Sequence, residues 1–318
     1  MKLIFAGTPA NAANTLQALL QGDAGLFEVV AVLTRPDAPL GRKRVLTPSP
    51  VAAVAEAAGI PVIKTKKIDA ATIEELRKFD ADLGVIVAYG ALLGAEALQV
   101  PAKGWINIHY SLLPQWRGAA PVQNALLHGD KTTGVTVFQL DEGMDTGPVW
   151  LKVATEIQPD ENSGDLLTRL TSLGISAMNQ VLPEIASHLT APTPQIIGNE
   201  PLAAKPTRDA ARLNFADSAV ELERKVRAFN PEPMAHCALA GEPFRILAAR
   251  ALGATDWASL GESNDHKAGL VSVQKNRVLV HCGKGTLLEL KQVQPAGKKP
   301  MAAADWARGL QNEVIFNQ

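Results

Sequence analysis

Short apolar runs recur through the first half of the chain, each closed by a turn residue and followed by a stretch of helical period. Residues 2–6, 29–33, 61–64 and 83–88 have strand length. The last of these, bounded by Asp82 and Gly90, is apolar throughout, as a strand buried on both faces is. Helical patterns fill the intervals at 10–20, 51–58, 70–78 and 94–98. Residues 105–109 and 136–140 read as further strands, 119–127 as a helix and 149–155 as a strand. Residues 160–189 form a long helical region with Asn162 or Ser163 as its cap. Strands alternating with helices predict an α/β domain, doubly wound around a mostly parallel sheet.

The rhythm changes after residue 189. Residues 190–206 (TAPTPQIIGNEPLAAKP) carry repeated prolines and no helical period, and read as a linker. An amphipathic helix over 218–229 is stopped by Asn230-Pro231-Glu232-Pro233. Short strand-like runs follow at 243–248, 269–274, 277–282 and 286–293, a spacing that suggests a small barrel. The expected division is therefore 1–189, a linker over 190–206, and 207–318. Within the first part, residues 34–50 (TRPDAPLGRKRVLTPSP) keep no periodicity and read as a long loop. Its basic tip is Arg42, Lys43 and Arg44. Loops of this length in compact domains are usually functional or disordered.

Composition narrows the class without deciding it. The 318 residues are 47% apolar and 20% charged, as in ordinary soluble proteins, and the net charge is −1. The charge is unevenly placed: residues 1–204 carry a net −5 and residues 205–318 a net +4. That asymmetry points to a polyanionic partner for the second half. Cys237 and Cys282 form no CxxC pair, so a structural zinc site is not expected, nor any other metal. The opening MKLIFAGTP lacks the apolar length of a signal peptide, and no stretch reaches spanning length. A cytosolic protein without membrane contact is expected, and a monomer.

The candidate chemistry lies between Trp105 and Pro121, WINIHYSLLPQWRGAAP. In a strand, Asn107 and His109 share one face, roughly 7 Å apart at their backbones. They stand at a strand's carboxyl end, where open parallel sheets bind ligands. Taken alone, either residue is more often a turn former or a satisfied polar group. A second string, DEGMDTG at 141–147, adds two carboxylates, Asp141 and Asp145, each also explicable as an Asx-turn. The fingerprint GxGxxG is absent, since Gly7 stands alone in the first turn, and this excludes a dinucleotide reading. The GxSxG elbow is also missing, so Ser111 reads as a turn and pocket residue and not as a covalent nucleophile.

Asn-x-His followed by SLLP, with an Asp-containing glycine loop about thirty residues on, resembles the formyltransferases that use 10-formyltetrahydrofolate. FAGTP at the start, VAYG at 87–90 and SLLPQWRGAAP extend the resemblance over nearly the whole chain. The resemblance implies that Asn107, His109 and Asp145 are catalytic. It implies a folate pocket involving Val87, Tyr89, Ser111, Leu112, Leu113, Pro114 and Asp141, and makes the small barrel OB-like. It also implies contact of the Arg42–Lys43–Arg44 loop with the acceptor end of a tRNA, the amine being that of initiator Met-tRNA. The basic second half fits such a partner. The nearest alternative is a formyltransferase acting on a small amine; an RNA-binding module without catalysis is the other class.

Formyl transfer passes through a tetrahedral oxyanion, which needs aimed donors. The Asn107 amide supplies one in any protonation state. His109 would do so best as imidazolium, with a nearby carboxylate raising its pKa and receiving the amine's proton. Three positions depart from the family's pattern: Tyr110 where glycine is usual, Gln115 for an arginine, and Glu232 for a tryptophan. Tyr110 is expected to place a phenol beside the site.

Overall fold

The computed structural model describes residues 1–22, 26–41, 43–187, 190–253, 267–310 and 312–317. Contacts divide the chain into two compact units. The first comprises 1–121, 132–156 and 167–202; the second comprises 122–131, 157–166 and 203–318.

The first unit is built on a seven-stranded sheet. In chain order its elements are β1 (Lys2–Gly7), α1 (Ala10–Gln21), β2 (Glu28–Thr34), β3 (Ala38–Leu40), β4 (Val45–Thr47), α2 (Pro50–Ala57) and β5 (Val62–Lys64). Then come α3 (Ala70–Arg77), β6 (Leu83–Val87), α4 (Ala95–Leu98), β7 (Trp105–His109), α5 (Pro121–His128), β8 (Thr132–Gln139), β9 (Val149–Glu156) and α6 (Ser163–Ser187). The strand order is β5-β2-β1-β6-β7-β8-β9. Pairing is parallel from β5 through β7 and antiparallel from β7 to β8 and β8 to β9. β1 is central, and the chain runs outward from it first toward β5 and later toward β9. The switch between β1 and β6 is therefore where an open sheet offers a ligand crevice.

The apolar runs become the buried strands: Leu3, Ile4, Phe5, Val32, Leu33, Leu83 and Val85 are fully buried. Helix starts follow the polar caps. Ser49 accepts from the Ala52 amide at 3.0 Å, Asp69 from Thr72 at 3.0 Å, and Asn162 from both Gly164 and Asp165. Asn162, of the two candidates, is thus the cap of α6.

Residues 34–50 are not a featureless loop. β3 and β4 pair antiparallel as a hairpin, Ala38 opposite Thr47 and Leu40 opposite Val45. Three-residue strands, one containing Pro39, are too short for a readable period. The hairpin is closed at its base by Thr34 and Ser49, whose hydroxyls lie 2.7 Å apart. Leu40, Val45 and Leu46 are exposed on it, and Lys43 and Arg44 are exposed at its tip. Arg42 lies outside the described residues.

The second unit contains α7 (Ala219–Phe229), β10 (His236–Leu239), β11 (Glu242–Ala251), β12 (Leu270–Gln274), β13 (Arg277–Cys282), β14 (Thr286–Pro295), β15 (Met301–Ala302), α8 (Ala303–Ala307) and β16 (Val314–Asn317). Six strands close a barrel in the order β11-β10-β16-β12-β13-β14, and β14 pairs back with β11. β10, β15 and β16 are additions to the sequence reading; each is at most four residues long. Phe244, Phe316, Phe215 and Trp306 stack in the interior, with ring centroids 4.9–5.8 Å apart. Cys237 and Cys282 are free and buried, and burial pushes both thiols up to about 12. α7 opens with a capping box, Ser218 and Glu221 each bonding the other's backbone amide.

β7 has a specific anchor. Trp105 is fully buried and its Nε1 donates to the Ala97 carbonyl at 2.8 Å. Its ring lies over Gly84 on the neighbouring strand, where a Cβ would stand 2.0 Å from a ring carbon. Gly84→Ala should therefore lower the free energy of unfolding by about 1–3 kcal/mol, the usual cost of overpacking. Urea titration followed by tryptophan fluorescence checks this; an unchanged midpoint would show that the indole shifts freely.

Candidate active site

The anchored strand presents Asn107 and then His109 at its carboxyl end. Asn107 is half-buried, and among the described residues its carboxamide makes no hydrogen bond. His109 is buried, with its ring edge-on to Phe138 at 6.3 Å. Phe138 and Thr136, on β8, stand opposite Asn107 and His109.

Beyond His109 the chain folds into a tight turn. The Thr136 hydroxyl donates to the Ser111 carbonyl at 2.7 Å and accepts the Leu113 amide at 3.1 Å. The Ser111 hydroxyl donates to the Gln115 carbonyl. The Ser111 hydroxyl is thus engaged within the turn and its carbonyl by β8. Leu113 is buried, while Leu112 and Pro114 are partly exposed. Leu112 packs over Gly134, where a Cβ would meet it at 2.6 Å.

The turn brings two backbone groups back to the strand end. Trp116 adopts φ 59° and its carbonyl lies 2.9 Å from His109 Nε2. A carbonyl only accepts, so Nε2 carries the proton and the lone pair of the neutral ring is on Nδ1. Gly118, at φ 117°, donates its amide to Asp145 Oδ2 at 2.7 Å. The same Oδ2 stands 3.7 Å from His109 Nδ1. Asp145 is mostly buried and has φ 54°, a left-handed conformation that aspartate tolerates better than most residues.

The two carboxylates of the glycine loop therefore separate. Asp141 Oδ1 accepts the Gly143 amide at 3.0 Å and the Thr146 hydroxyl at 2.8 Å, an Asx-turn that shapes the loop. Asp145 faces the imidazole. At the sheet's switch point, Val87 ends β6 paired with Gly7 of β1. The next residues turn sharply, with Ala88 at φ 47° and Gly90 at φ 86°. The Thr8 hydroxyl donates to the Tyr89 carbonyl at 2.8 Å and joins the two strand ends. A Cβ on Gly90 would meet nothing within 4 Å, so the turn borders open space.

A family model described as formyl transferase matches residues 1–182, and one described as formyl transferase, C-terminal domain, matches residues 205–311. The methionyl-tRNA formyltransferase of Paenarthrobacter aurescens is 47% identical over 99% of this chain and 100% of its own length. That of Acidothermus cellulolyticus is 46% identical over 97% of each. The chain belongs to the formyl transferase family. Among solved structures, the sugar 3N-formyl transferase WlaRD covers 94% of this chain and 99% of its own, with a TM-score of 0.64 at 17% identity. The phosphoribosylglycinamide formyltransferase of Bacillus halodurans covers 59% and 96%, with a TM-score of 0.51 at 24% identity. These two show the shared fold.

Two expectations for this formyl transferase need correction. The Tyr110 phenol does not open onto the site. It is buried, accepts from Asn11 Nδ2 at 3.0 Å, and also bonds Thr171. Its backbone needs no glycine, because the positive-φ residues of this string are Trp116 and Gly118 and not Tyr110. Second, the His109 pKa is lowered, not raised. Burial in the apolar strand end drives it down, and it outweighs the opposing pulls of Asp145 and the Trp116 carbonyl. Trp116, Gly118 and Thr136 were not singled out from sequence as site residues. The left-handed positions at Trp116 and Gly118 are set by the folded turn, and only the glycine carries a local signal. Among the described residues no group of His, Cys, Asp and Glu is placed to hold a metal, and no helix is long and apolar enough to cross a membrane.

A lowered folded-state pKa means that the unfolded chain binds more protons, so stability rises with pH in that window. The contribution of His109 is present above its unfolded value, about 6.5, and is lost as pH falls toward the depressed folded value. Wild-type protein should therefore lose urea stability on acidification more steeply than His109→Gln. Parallel pH profiles of the two proteins would contradict the burial of a neutral ring.

Proposed function

We propose that the protein transfers the formyl group of 10-formyltetrahydrofolate to the α-amino group of initiator Met-tRNA. The observation that carries this reading is full-length identity of 44–47% to relatives named methionyl-tRNA formyltransferase, including the second unit. A small-amine acceptor finds no comparable support.

In this reading Asn107, His109 and Asp145 are the catalytic groups. The unbonded Asn107 carboxamide donates to the oxyanion that develops as the amine attacks. His109 starts as the neutral imidazole, because burial holds its pKa down. Its Nδ1 lone pair takes the proton that the amine loses, and the facing Asp145 carboxylate stabilises the imidazolium so formed. The same Nδ1 returns the proton to N10 as the formyl carbon's bond to it breaks. The new C–N bond, the broken C–N bond and one moved proton complete the balance, with no covalent enzyme intermediate.

The residues at the strand ends fit a folate co-substrate. The turn after β6, at Val87 and Tyr89, borders open space beside Gly90 and offers backbone groups. The DEGMDTG loop, with Asp141 holding its shape, supplies the facing backbone, and Leu112, Leu113 and Pro114, with the Ser111 turn, form the apolar wall. We assign tRNA contact to Arg42, to Lys43 and Arg44 at the hairpin tip, and to the basic region 207–318, with 190–206 as linker and 1–189 as the catalytic part. Phosphate contacts of this kind weaken with salt.

A formyl-transfer assay that compares Met-tRNA with small amines tests the reading. Transfer to Met-tRNA should dominate. Asn107→Ala and His109→Ala should each lower kcat by on the order of 10²–10³ with the fold retained. Arg42→Ala combined with Arg44→Ala should raise KM for Met-tRNA and leave folate binding unchanged. Transfer confined to a small amine, or near-normal kcat in either site variant, would overturn the corresponding assignment.

A further inference from the structure

One residue outside both sequence strings reaches the catalytic loop. Gln195 lies in the segment after α6, fifty residues from Asp145 in sequence. Its Nε2 donates to the Asp145 carbonyl at 3.0 Å and to the Gly147 carbonyl at 2.7 Å. The segment is held in register by two backbone bonds two residues earlier. Val149 donates to Thr193 at 2.7 Å and Thr193 to Val149 at 2.8 Å. The amide orientation follows from its partners: a flipped carboxamide would set an oxygen against two carbonyl oxygens. Oε1 is buried and accepts no hydrogen bond among the described residues. The donor end alone is used, and both its bonds go to one loop.

Asp145 needs such a hold. Its left-handed backbone persists only where the surroundings impose it. The Asx-turn of Asp141 reaches Gly143 and Thr146 and leaves the carbonyls of Asp145 and Gly147 unheld. The Gly118 amide grips only the carboxylate, which remains free to follow the backbone if the peptide turns.

We propose that Gln195 is a positioning residue: its carboxamide ties the carbonyls of Asp145 and Gly147 and so aims the Asp145 carboxylate at His109 Nδ1. This rests on the reading of Asp145 as catalytic. The segment that follows the long helix then belongs functionally to the active site. Gln195 touches neither of the reacting atoms and acts through the loop alone, so its loss should lower kcat more than it raises KM for the folate whose pocket the loop borders.

The test uses the full chain with 10-formyltetrahydrofolate and Met-tRNA, comparing wild type, Gln195→Ala, Gln195→Glu and Asp145→Asn. Gln195→Ala should lower kcat about tenfold, as expected for losing two modest hydrogen bonds at a catalytic group. KM for Met-tRNA should stay within about twofold, and KM for the folate should rise by less than kcat falls. Gln195→Glu keeps the shape but faces the carbonyls with a carboxylate. Its kcat deficit should shrink as pH falls and the side chain regains a proton to donate. Unchanged kcat in Gln195→Ala, a loss confined to KM, or a pH-independent deficit in Gln195→Glu would overturn the proposal. If Asp145→Asn is inactive while Gln195→Ala is normal, only this proposal fails. If Asp145→Asn retains its kcat, the catalytic reading itself fails.

Discussion

A single carboxylate oxygen, Asp145 Oδ2, joins the two loops that close the carboxyl end of β7. It lies 2.7 Å from the Gly118 amide and 3.7 Å from His109 Nδ1. Gly118 belongs to the turn that also sends the Trp116 carbonyl to the other nitrogen of the same ring. The imidazole is therefore held by a neutral acceptor on one side and faces an anion on the other. Burial keeps the ring uncharged at rest. The anion matters when a proton arrives, because a charge formed in a buried site is stabilised most by a partner already in place.

Sheet topology decides where this arrangement can sit. β7 is the last parallel strand, and β8 turns antiparallel beside it, so its carboxyl end is flanked by β6 on one side and by the start of the DEGMDTG loop's supporting strand on the other. Trp105, lying over Gly84, fixes β7 against β6. Thr136 of β8 stitches the following turn. The proposed catalytic face depends on these neutral contacts for its geometry and on a few polar atoms for its chemistry. The barrel unit has its own aromatic core, with a basic region suited to a polyanion.

The strands and most helices of the first unit were legible because burial imposes their periods. Asn107 and His109 on one strand face, and a polar cap at the start of α6, are direct consequences of local rules. The hairpin of residues 38–47 was not legible, since three-residue strands carry no period and their apolar side chains are exposed. β10, β15 and β16 were missed for the same shortness. The separation of Asp141 from Asp145 depends on a left-handed backbone that several residues of that loop could have adopted. The direction of the His109 pKa depends on burial outweighing a nearby carboxylate, a balance of magnitudes that no motif encodes. Gln195 reaches its partners across about fifty residues, beyond any local pattern.

The proposed proton transfer requires Asp145 to act on His109 through space. Titration of the His109 ring by ¹⁵N nuclear magnetic resonance, in wild-type protein and in Asp145→Asn, tests this most directly. Asp145 raises the His109 pKa against the larger effect of burial. Its neutralisation should therefore move the pKa further down, with Nε2 remaining the protonated nitrogen of the neutral ring. An unchanged or higher pKa in Asp145→Asn would contradict the pairing on which the proposed proton transfer depends.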